Sequence, residues 1–353
     1  MIEKATIFIP DISGFTAFLS KTELDHSSHI ISELLEVLVG SNCTGCTLAE
    51  IEGDALLFYH KGEALSGEAL IRQCMDMFQA FHSQLKLIER DSICQCGACQ
   101  TASNLTLKFI VHYGTIKELK IAHFTKASGL DMIIAHRLLK NGIASDEYIL
   151  ATQPYLDALS DGVSDPGLTW HADSETYPAI GKLDFQYTLL DEVRSGIADP
   201  PPREKLALRV KDDTVGVDVD APMRDVYQLL VDLENRIHWI PGLRSGVGER
   251  PIDRLGSRHR CVLDEETYEI IPVASEIQDR EMRYVERCTG LNSGLKYLTE
   301  YVAINRGEHR THVEIRIAEE AGYPLSPDVM ELIVEEWHEI AESFKVFCED
   351  GAA

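Results

Sequence analysis

The sequence is poor in basic side chains and has no long apolar segment. It contains 33 Lys and Arg residues against 58 Asp and Glu residues, which gives a net charge of −25 at pH 7. Such a surface repels nucleic acids and anionic membranes, so neither is expected as a partner. No apolar run approaches the roughly 18 residues that suggest a membrane-spanning helix, and no basic and apolar leader is present at the N-terminus. These absences predict a cytoplasmic protein that binds no membrane.

No repeat or low-complexity tract is present either, and 353 residues are enough for two domains. The clearest boundary is the segment Ser195–Arg203, in which Pro200, Pro201 and Pro202 predict a stiff linker. We therefore predict a first domain over 1–195, a linker over 196–203 and a second domain over 204–350.

Two stretches near the N-terminus combine carboxylates with tight turns. In residues 5–20 a short apolar strand leads to Asp11, and a Ser-Gly turn then precedes a helix. A carboxylate at a strand end beside the N–H groups of a helix start can hold a divalent cation and a phosphate together. A strand, a turn and an aspartate that caps a helix produce the same pattern. Residues 50–59 predict a β-hairpin with Gly53-Asp54 at its turn.

These stretches resemble the catalytic domain of class III nucleotidyl cyclases, which opens with strand-Asp-Ile-x-Gly-Phe-Thr and carries Gly-Asp at a hairpin turn. Residues 109–114 look like the family's Gly-Ile-His-x-Gly strand, and residues 129–138 look like its Gly-Asp-x-Val-Asn-x-Ala-x-Arg-Leu motif. Four motifs in the family's order predict an α+β first domain. Its expected β-α-β-β-α-β order is that of a ferredoxin-like core.

The resemblance implies a nucleotide site with metal ions. Asp11 and Asp54 correspond to the family's metal-binding aspartates, so Mg²⁺ or Mn²⁺ is expected there. Gly14, Phe15 and Thr16 belong to the same opening motif and are expected to contact the nucleotide. The family's active site forms between two antiparallel domains, so a chain with one such domain is expected to form a homodimer.

The family also uses an Asn and an Arg to stabilise the transition state. Arg137 is retained, although the same residue also suits a salt bridge on a helix surface. Ile133 stands at the Asn position and cannot donate a hydrogen bond. Losing one such donor typically costs about 2.7–4 kcal/mol, or about 10²–10³ in rate.

Glu50 and Lys126 occupy the family's base-reading positions. Guanylyl cyclases also use Glu at the first position, where it accepts from guanine N1–H and N2–H, and Lys126 can donate to guanine O6. Glu50 is equally explained as a solvated charge at a strand end. His112, on a core strand, is expected to be a hydrogen-bonded structural histidine rather than a ligand.

The nine cysteines include two closely spaced groups. In a cytosolic chain, Cys43-x-x-Cys46 and Cys94-x-Cys96-x-x-Cys99 indicate metal binding rather than disulfides. The second group offers three thiolates to a tetrahedral Zn²⁺ or a similar soft ion, and it needs a fourth ligand. The alternative is a mobile loop of reduced thiols.

The second half predicts a strand, two helices, several alternating strands and a long amphipathic helix that starts at Ser326-Pro327. This helix-grip order, with Val219–Pro222 and His238–Gly242, resembles the START-like superfamily that includes polyketide cyclases. The resemblance implies an apolar pocket between the sheet and the long helix. No compact set of nucleophile, base and acid is present, so ligand binding is favoured over catalysis. The candidate lining residues are Trp239, His259, Tyr268, Tyr284, Tyr297 and Trp337.

The sequence therefore predicts a sensor or regulator in which a degenerate cyclase-like domain binds a nucleotide with a divalent ion. An apolar ligand in the second domain is expected to be coupled to it. Two alternatives remain open. One is an active nucleotidyl cyclase that prefers GTP to ATP, and the other is a non-catalytic interaction scaffold.

Overall fold

The computed structural model describes residues 2–20, 24–121, 124–160, 162, 163, 165, 167–203, 209–248, 254–263, 265–320 and 322–350. Its fold is mixed α+β and divides into two compact units. Unit 1 comprises Met1–Leu87 and Thr101–Pro200, and unit 2 comprises Ile88–Gln100 and Pro201–Ala353. No helix of the described residues is long and apolar enough to cross a membrane. The sequence also predicts a helix from about Thr22 to Val39 and a hairpin turn at Asp264-Glu265-Glu266, and both Thr22 and Asp264 lie outside the described residues.

Unit 1 is built on one sheet with the strand order β2-β3-β1-β4-β6-β8-β7, and β5 pairs with β4. Only the β4–β6 pair is parallel among these described strands. The first four strands and the helices between them reproduce the predicted β-α-β-β-α-β order. The strands are β1 (Ile2–Ser13), β2 (Thr47–Glu52), β3 (Ala55–Lys61), β4 (Thr106–Ile121), β5 (Phe124–Ser128), β6 (Tyr148–Thr152), β7 (His171–Tyr177) and β8 (Gly181–Leu189). The helices are α1 (Phe15–Ser20), α2 (Leu24–Gly40), α3 (Gly67–Asp91), α4 (Gly97–Thr101), α5 (Leu130–Arg137), α6 (Gln153–Asp157) and α7 (Asp191–Ser195), where α3 ends and α4 begins in unit 2.

Strand β1 is an interior strand of this sheet, between β3 and β4, and both of its faces are covered. Ile7 and Ile9 belong to one buried cluster, whereas Phe8 points to the opposite face and stacks on Phe109 with 5.8 Å between ring centroids. Such a strand needs apolar residues at successive positions, which explains its continuous apolar run. The strand continues to Ser13, beyond the predicted end at Ile9, because Asp11 still pairs with both neighbouring strands.

Unit 2 contains a seven-stranded antiparallel sheet in the order β10-β11-β12-β13-β14-β15-β9. Its elements follow the predicted succession of a strand, two helical segments, several strands and a closing helix. The strands are β9 (Arg209–Val219), β10 (Leu243–Gly248), β11 (His259–Leu263), β12 (Glu266–Ile277), β13 (Glu281–Gly290), β14 (Lys296–Gly307) and β15 (Arg310–Glu319). The helices are α8 (Met223–Val231), a 3-10 helix (Glu234–His238) and α9 (Pro327–Asp350).

Helix α9 begins and packs as its sequence predicts. The N–H of Val329 donates to Ser326 Oγ over 3.3 Å, which makes Ser326 the N-cap before Pro327. Trp337 and Phe344 recur on one side of the helix and are buried in the core of unit 2.

The cysteine-bearing segment 88–100 contacts the rest of unit 2 at three successive residues. Ile93 is fully buried within the core of unit 2. Ser92 forms an isolated β-bridge with Arg254, and Asp91 accepts two hydrogen bonds of 2.9 Å from the guanidinium of Arg203. The apolar Ile93, placed between polar neighbours, is the residue that anchors this segment.

Candidate functional site

The two predicted metal-binding aspartates lie on adjacent strands of unit 1. Asp11 is opposite Ala55 in the β1–β3 register, so it lies beside the hairpin turn that carries Asp54. The N–H of Ile12 donates to the carbonyl oxygen of Asp54 over 3.1 Å, which fastens the turn to β1. Asp11 is 8% exposed, whereas Asp54 is partly buried. The fold therefore brings the two carboxylates together at one edge of the structure.

The electrostatics of this pair favour a cation. Burial, and then the negative charge of Asp11, raise the pKa of Asp54 to about 6. Lys108, which faces Asp11 across the β1–β4 pair, places its Nζ 3.2 Å from Asp11 Oδ2. One ammonium group thus accompanies two carboxylates. The sequence comparison did not identify Lys108, because its role depends on the strand register.

The opening motif supplies a turn next to the aspartates. Gly14 has φ +88°, a conformation that favours glycine, and its carbonyl oxygen accepts from Phe18 N–H over 2.9 Å at the start of α1. A Cβ atom on Gly53 would lie 3.7 Å from Phe15 Cε1, so the Phe15 ring lies against the hairpin turn. Thr16 is exposed beside it. The predicted nucleotide contacts of this motif therefore share one end of the sheet with Asp11 and Asp54.

Ser13 adds a third oxygen on β1. It lies two residues beyond Asp11 on the strand and therefore on the same face. Its hydroxyl oxygen is buried and has no hydrogen-bond partner among the described residues. Together with the aspartates it forms a set of oxygen donors of the kind that Mg²⁺ and Mn²⁺ prefer.

A second group of predicted residues lines an open cleft of about 520 Å³ on unit 1. Glu50, Lys126, Ile133 and Arg137 all line it. The predicted metal ligands and the opening motif do not belong to this lining. Within one copy of the chain, the predicted residues therefore form one group around the aspartates and one in the cleft, and Glu52 and Leu57 of the Asp54 hairpin also line the cleft.

The two predicted base-reading residues contact each other. Lys126 Nζ donates to Glu50 Oε1 over 2.9 Å, and their side chains are 54% and 29% exposed. An exposed ion pair of this kind contributes at most about 1 kcal/mol to stability, so a ligand can displace it at little cost. Arg137 is exposed, and its guanidinium forms no ion pair with the residues that the structure describes. Ile133 is 52% exposed in the same cleft, so an apolar surface takes the place of a hydrogen-bond donor.

Helix α5, which carries Ile133 and Arg137, is attached to β4 through Asp131. The Asp131 carboxylate accepts from Thr115 N–H over 2.6 Å and from Thr115 Oγ1 over 2.9 Å. Its other oxygen lies 3.1 Å from His112 Nε2, and His112 Nδ1 lies 2.8 Å from Thr152 Oγ1. His112 is thus a buried, hydrogen-bonded structural histidine, as predicted. A Cβ atom on Gly114 would lie 2.2 Å from Asp131 Cγ, so only glycine leaves room for this carboxylate.

Three cysteines of segment 88–100 form a compact cluster inside unit 2. The Sγ atoms of Cys94, Cys96 and Cys99 all lie within 4.8 Å of one another. Hydrogen bonds that Cys94 receives from the other two thiols lower the pKa of Cys94, and the same hydrogen bonds raise the pKa of Cys99. The cluster can therefore bind a metal ion. Cys43 and Cys46, the other closely spaced pair, belong to unit 1.

Five of the six residues predicted to line an apolar pocket belong to the core of unit 2, although they come from five different parts of the chain. Three of their rings contact other aromatic side chains of this core, which are Tyr301 and Phe344. Trp337 meets Tyr301 edge-on, with 5.6 Å between ring centroids, and Tyr284 stacks on Tyr301, with 5.7 Å between ring centroids. The set comprises Trp239, Tyr284, Tyr297 and Trp337, which are buried, and Tyr268, which is partly buried against them.

A buried ion pair, which the sequence analysis missed, lies in the same core. Arg236 donates to both oxygens of Glu286, at 2.9 and 2.6 Å, and each side chain is 1% exposed. Tyr301 Oη donates to the same carboxylate over 2.9 Å. Burial and then the Arg236 charge lower the pKa of His259 to about 4, so His259 is neutral at pH 7. Glu286, which alternates with Met282, Tyr284 and Cys288 along β13, was the available signal for this pair.

Part of the chain matches a known protein family and a known protein. Residues 31–148 match a family described as "Protein of unknown function (DUF2652)". The "Uncharacterized protein Rv2561/Rv2562" of Mycobacterium tuberculosis (strain ATCC 25618 / H37Rv) is 32% identical over 136 residues. That match covers 38% of this chain and 62% of the relative, so the chain spans less than two thirds of it.

Solved structures similar to this chain include adenylyl and guanylyl cyclases, over about half of its length. The catalytic core of a rhodopsin-guanylyl cyclase with converted specificity, in complex with ATPalphaS, is 14% identical with a TM-score of 0.40, covering 53% of this chain and 97% of its own. A bacterial light-regulated adenylyl cyclase is 16% identical with a TM-score of 0.40, and the match covers 54% of this chain and 91% of the cyclase. The guanylyl cyclase Cya2 is 13% identical with a TM-score of 0.38, and the match covers 57% of this chain and 95% of the cyclase.

Proposed function

We propose that unit 1 binds a nucleoside triphosphate together with Mg²⁺ or Mn²⁺ and is a degenerate, regulatory relative of the nucleotidyl cyclases. The observation that carries this proposal is the juxtaposition of Asp11 and Asp54, with the pKa of Asp54 raised to about 6 by burial and by its neighbour. Two carboxylates held this close stabilise each other's protonated form unless a cation neutralises them. A divalent ion with the phosphates of a nucleotide supplies that charge.

The residues present fit such an ion. Carboxylate oxygens from Asp11 and Asp54 and the hydroxyl oxygen of Ser13 are hard donors, and Mg²⁺ completes its coordination with water and phosphate oxygens. The exposed turn at Gly14 and Thr16 leaves the adjacent space open to a phosphate group. A bound ion would supply charge neutralisation of the phosphates, and Lys108 would add a further positive charge.

Ile133 argues for binding rather than efficient cyclisation. It occupies the position of a transition-state donor, and its exposed apolar side chain offers no hydrogen bond. Glu50 and Lys126 contact each other, and a guanine base can replace this contact by donating to Glu50 and accepting from Lys126. GTP is therefore the preferred nucleotide. An active cyclase that prefers GTP is the second candidate, favoured by the exposed guanidinium of Arg137 in the cleft.

We further propose that the site is completed by a second copy of the chain. The aspartate group and the cleft group are separate within one copy. One nucleotide contacts both groups if the cleft of one protomer faces the aspartates of its partner. Exposed apolar side chains near the cleft, at Ile51, Leu130 and Ile133, suit such a contact.

For unit 2 we propose binding of an apolar small molecule among the aromatic side chains of the core, coupled to nucleotide binding in a sensor or regulatory role. The clustering of Trp239, Tyr284, Tyr297 and Trp337 supports this proposal. We also propose that Cys94, Cys96 and Cys99 hold Zn²⁺, because three thiolates at this spacing suit that ion.

The test of the nucleotide proposal is calorimetric titration of GTP and ATP in the presence and absence of Mn²⁺, with product analysis for cyclic nucleotide. We expect saturable, Mn²⁺-dependent binding that prefers GTP and yields no cyclic product. Asp11→Ala and Asp54→Ala should abolish it, whereas Asp76→Ala, which removes an exposed carboxylate of α3, should not.

Two outcomes would decide against this proposal. Cyclic product that disappears in Arg137→Ala would establish the second candidate, an active cyclase. Absence of nucleotide binding with and without Mn²⁺ would leave unit 1 as an interaction scaffold. Sedimentation with and without GTP and Mn²⁺ tests the dimer, which should form more strongly when both ligands are present.

A further inference from the structure

We propose that Gln228 is the positioning residue of the soft-metal site at Cys94, Cys96 and Cys99, and that the bound ion fastens segment 88–100 into unit 2. This inference rests on the proposed Zn²⁺ site and deepens it. It gives a role in this site to a residue outside the cysteine motif, Gln228 on helix α8. It also gives metal binding a structural consequence.

The three sulfur atoms are close to the arrangement that a tetrahedral ion requires. Zn–S bonds of about 2.3 Å hold tetrahedral sulfur ligands about 3.8 Å apart. The sulfur atoms of this cluster already lie within 4.8 Å of one another, so an ion needs only a small contraction. Three thiolates leave one position for a nitrogen or oxygen ligand.

Backbone N–H groups point at two of the sulfur atoms. Cys96 N–H donates to Cys94 Sγ and Cys99 N–H donates to Cys96 Sγ, each over 3.4 Å. Donors aimed at sulfur stabilise thiolates, the form in which cysteine binds metal. The local fold therefore favours ligation before an ion arrives.

Gln228 provides a third donor, and its orientation is determined by a second contact. Gln95 N–H donates to Gln228 Oε1 over 2.9 Å, which turns the amide nitrogen towards the cluster. Gln228 Nε2 then donates to Cys94 Sγ over 3.2 Å. One side chain thus holds both the backbone of the cysteine segment and its first sulfur. Outer contacts of this kind orient the metal ligands and tune their basicity.

The attachments of the segment at Asp91, Ser92 and Ile93 all precede the metal site. Ile93 is buried in the core of unit 2, Ser92 forms the β-bridge with Arg254, and Asp91 is held by Arg203 at 2.9 Å. Beyond Ile93, the Gln228 amide holds both the backbone of Gln95 and the sulfur of Cys94. An ion that joins three positions of this short stretch removes most of its remaining freedom.

The test uses the full chain, stripped of metal and reloaded with Zn²⁺ or Co²⁺. We expect one ion per chain and an intense thiolate-to-Co²⁺ charge-transfer band. Cys94→Ser, Cys96→Ser and Cys99→Ser should each remove most of this binding, whereas Cys43→Ser, at an exposed cysteine of unit 1, should leave it unchanged.

Gln228→Met then separates the inference from the proposed site, because methionine keeps the length of the side chain but donates no hydrogen bond. We expect Zn²⁺ affinity to fall about 10–100-fold with unchanged stoichiometry. The charge-transfer band should move to lower energy, since the sulfur loses a stabilising donor. Hydrogen exchange of the wild-type chain, which needs no variant, should slow in residues 92–100 when Zn²⁺ is added.

The outcomes are distinguishable. Failure of the wild-type chain to bind Zn²⁺ or Co²⁺ would overturn both the proposed site and the role of Gln228. The same holds if two of the three cysteines are found joined by a disulfide in the native protein. Binding that is unaffected by Gln228→Met, in affinity and in band position, would overturn the positioning role and leave the Zn²⁺ site intact. Unchanged exchange in residues 92–100 would overturn the fastening role.

Discussion

We predict that Lys108 weakens the binding of a divalent ion at the proposed Asp11–Asp54 site. Its Nζ lies 3.2 Å from Asp11 Oδ2, with the two side chains 13% and 12% exposed. An ion bound at the carboxylates is therefore repelled by a nearby ammonium group. Lys108→Met removes the repulsion while it keeps most of the side-chain volume. This variant should therefore bind Mn²⁺ more tightly.

The size of the effect follows from Coulomb's law. A divalent ion about 5 Å from an ammonium is repelled by about 2 kcal/mol in water and about 7 kcal/mol at an effective dielectric constant of 20. The exposed turn at Gly14 and Thr16 admits water, so we take the lower value. About 2 kcal/mol corresponds to a roughly 30-fold lower dissociation constant for Mn²⁺.

Calorimetric titration of Mn²⁺ into the wild-type chain and Lys108→Met at pH 7.5 measures this difference. Lys120→Met, which removes an exposed ammonium from the same strand, is the matched control and should bind Mn²⁺ like the wild type. Without metal, Lys108→Met should melt at a lower temperature, because Asp11 loses its partner, and Mn²⁺ should restore the loss. Equal or weaker Mn²⁺ binding by Lys108→Met would refute the placement of the ion at these carboxylates.

Three further predictions follow from other charges. Mn²⁺ affinity should fall as the pH drops below about 6, where Asp54 takes up a proton, and a pH series of Mn²⁺ titrations measures this fall. The raised pKa of Asp54 means that its ionisation opposes folding. The free energy of unfolding of the metal-free chain should therefore decrease as the pH rises from 4 to 6. Asp54→Asn should then raise its unfolding free energy above pH 6 by about 1 kcal/mol, a value discounted for partial exposure, and leave it unchanged at pH 4. Arg236→Met should cost about 3–5 kcal/mol in denaturant unfolding by leaving Glu286 buried and unpaired, whereas adding Glu286→Gln should recover much of this loss.

The order of elements in both halves could be predicted from the sequence, because it depends on local periodicity and on turn residues. The N-cap at Ser326 and the hairpin turn at Gly53-Asp54 are examples. The proximity of Asp11 and Asp54 was also predictable, since the hairpin pairs with β1 beside both residues. These features need only short stretches of chain and one strand pairing.

Other features of the site depend on contacts between distant residues. Lys108 meets Asp11 only because of the β1–β4 register, and the Arg236–Glu286 pair joins positions 50 residues apart. Gln228 reaches Cys94 across 134 residues. In each case an ordinary polar residue acquires its role by packing against a distant part of the chain.

The contact between Gly114 and Asp131 constrains how this protein can change. Any side chain at position 114 would occupy the space of the Asp131 carboxylate, which lies 2.2 Å from where a Cβ atom would be. Helix α5 and its cleft residues would then lose their tie to Thr115. Evolution can therefore replace the aspartate while the glycine stays, but a replacement of the glycine has to come after the aspartate is lost. Among relatives, a chain with Asp at this position and a larger residue in place of the glycine should be absent.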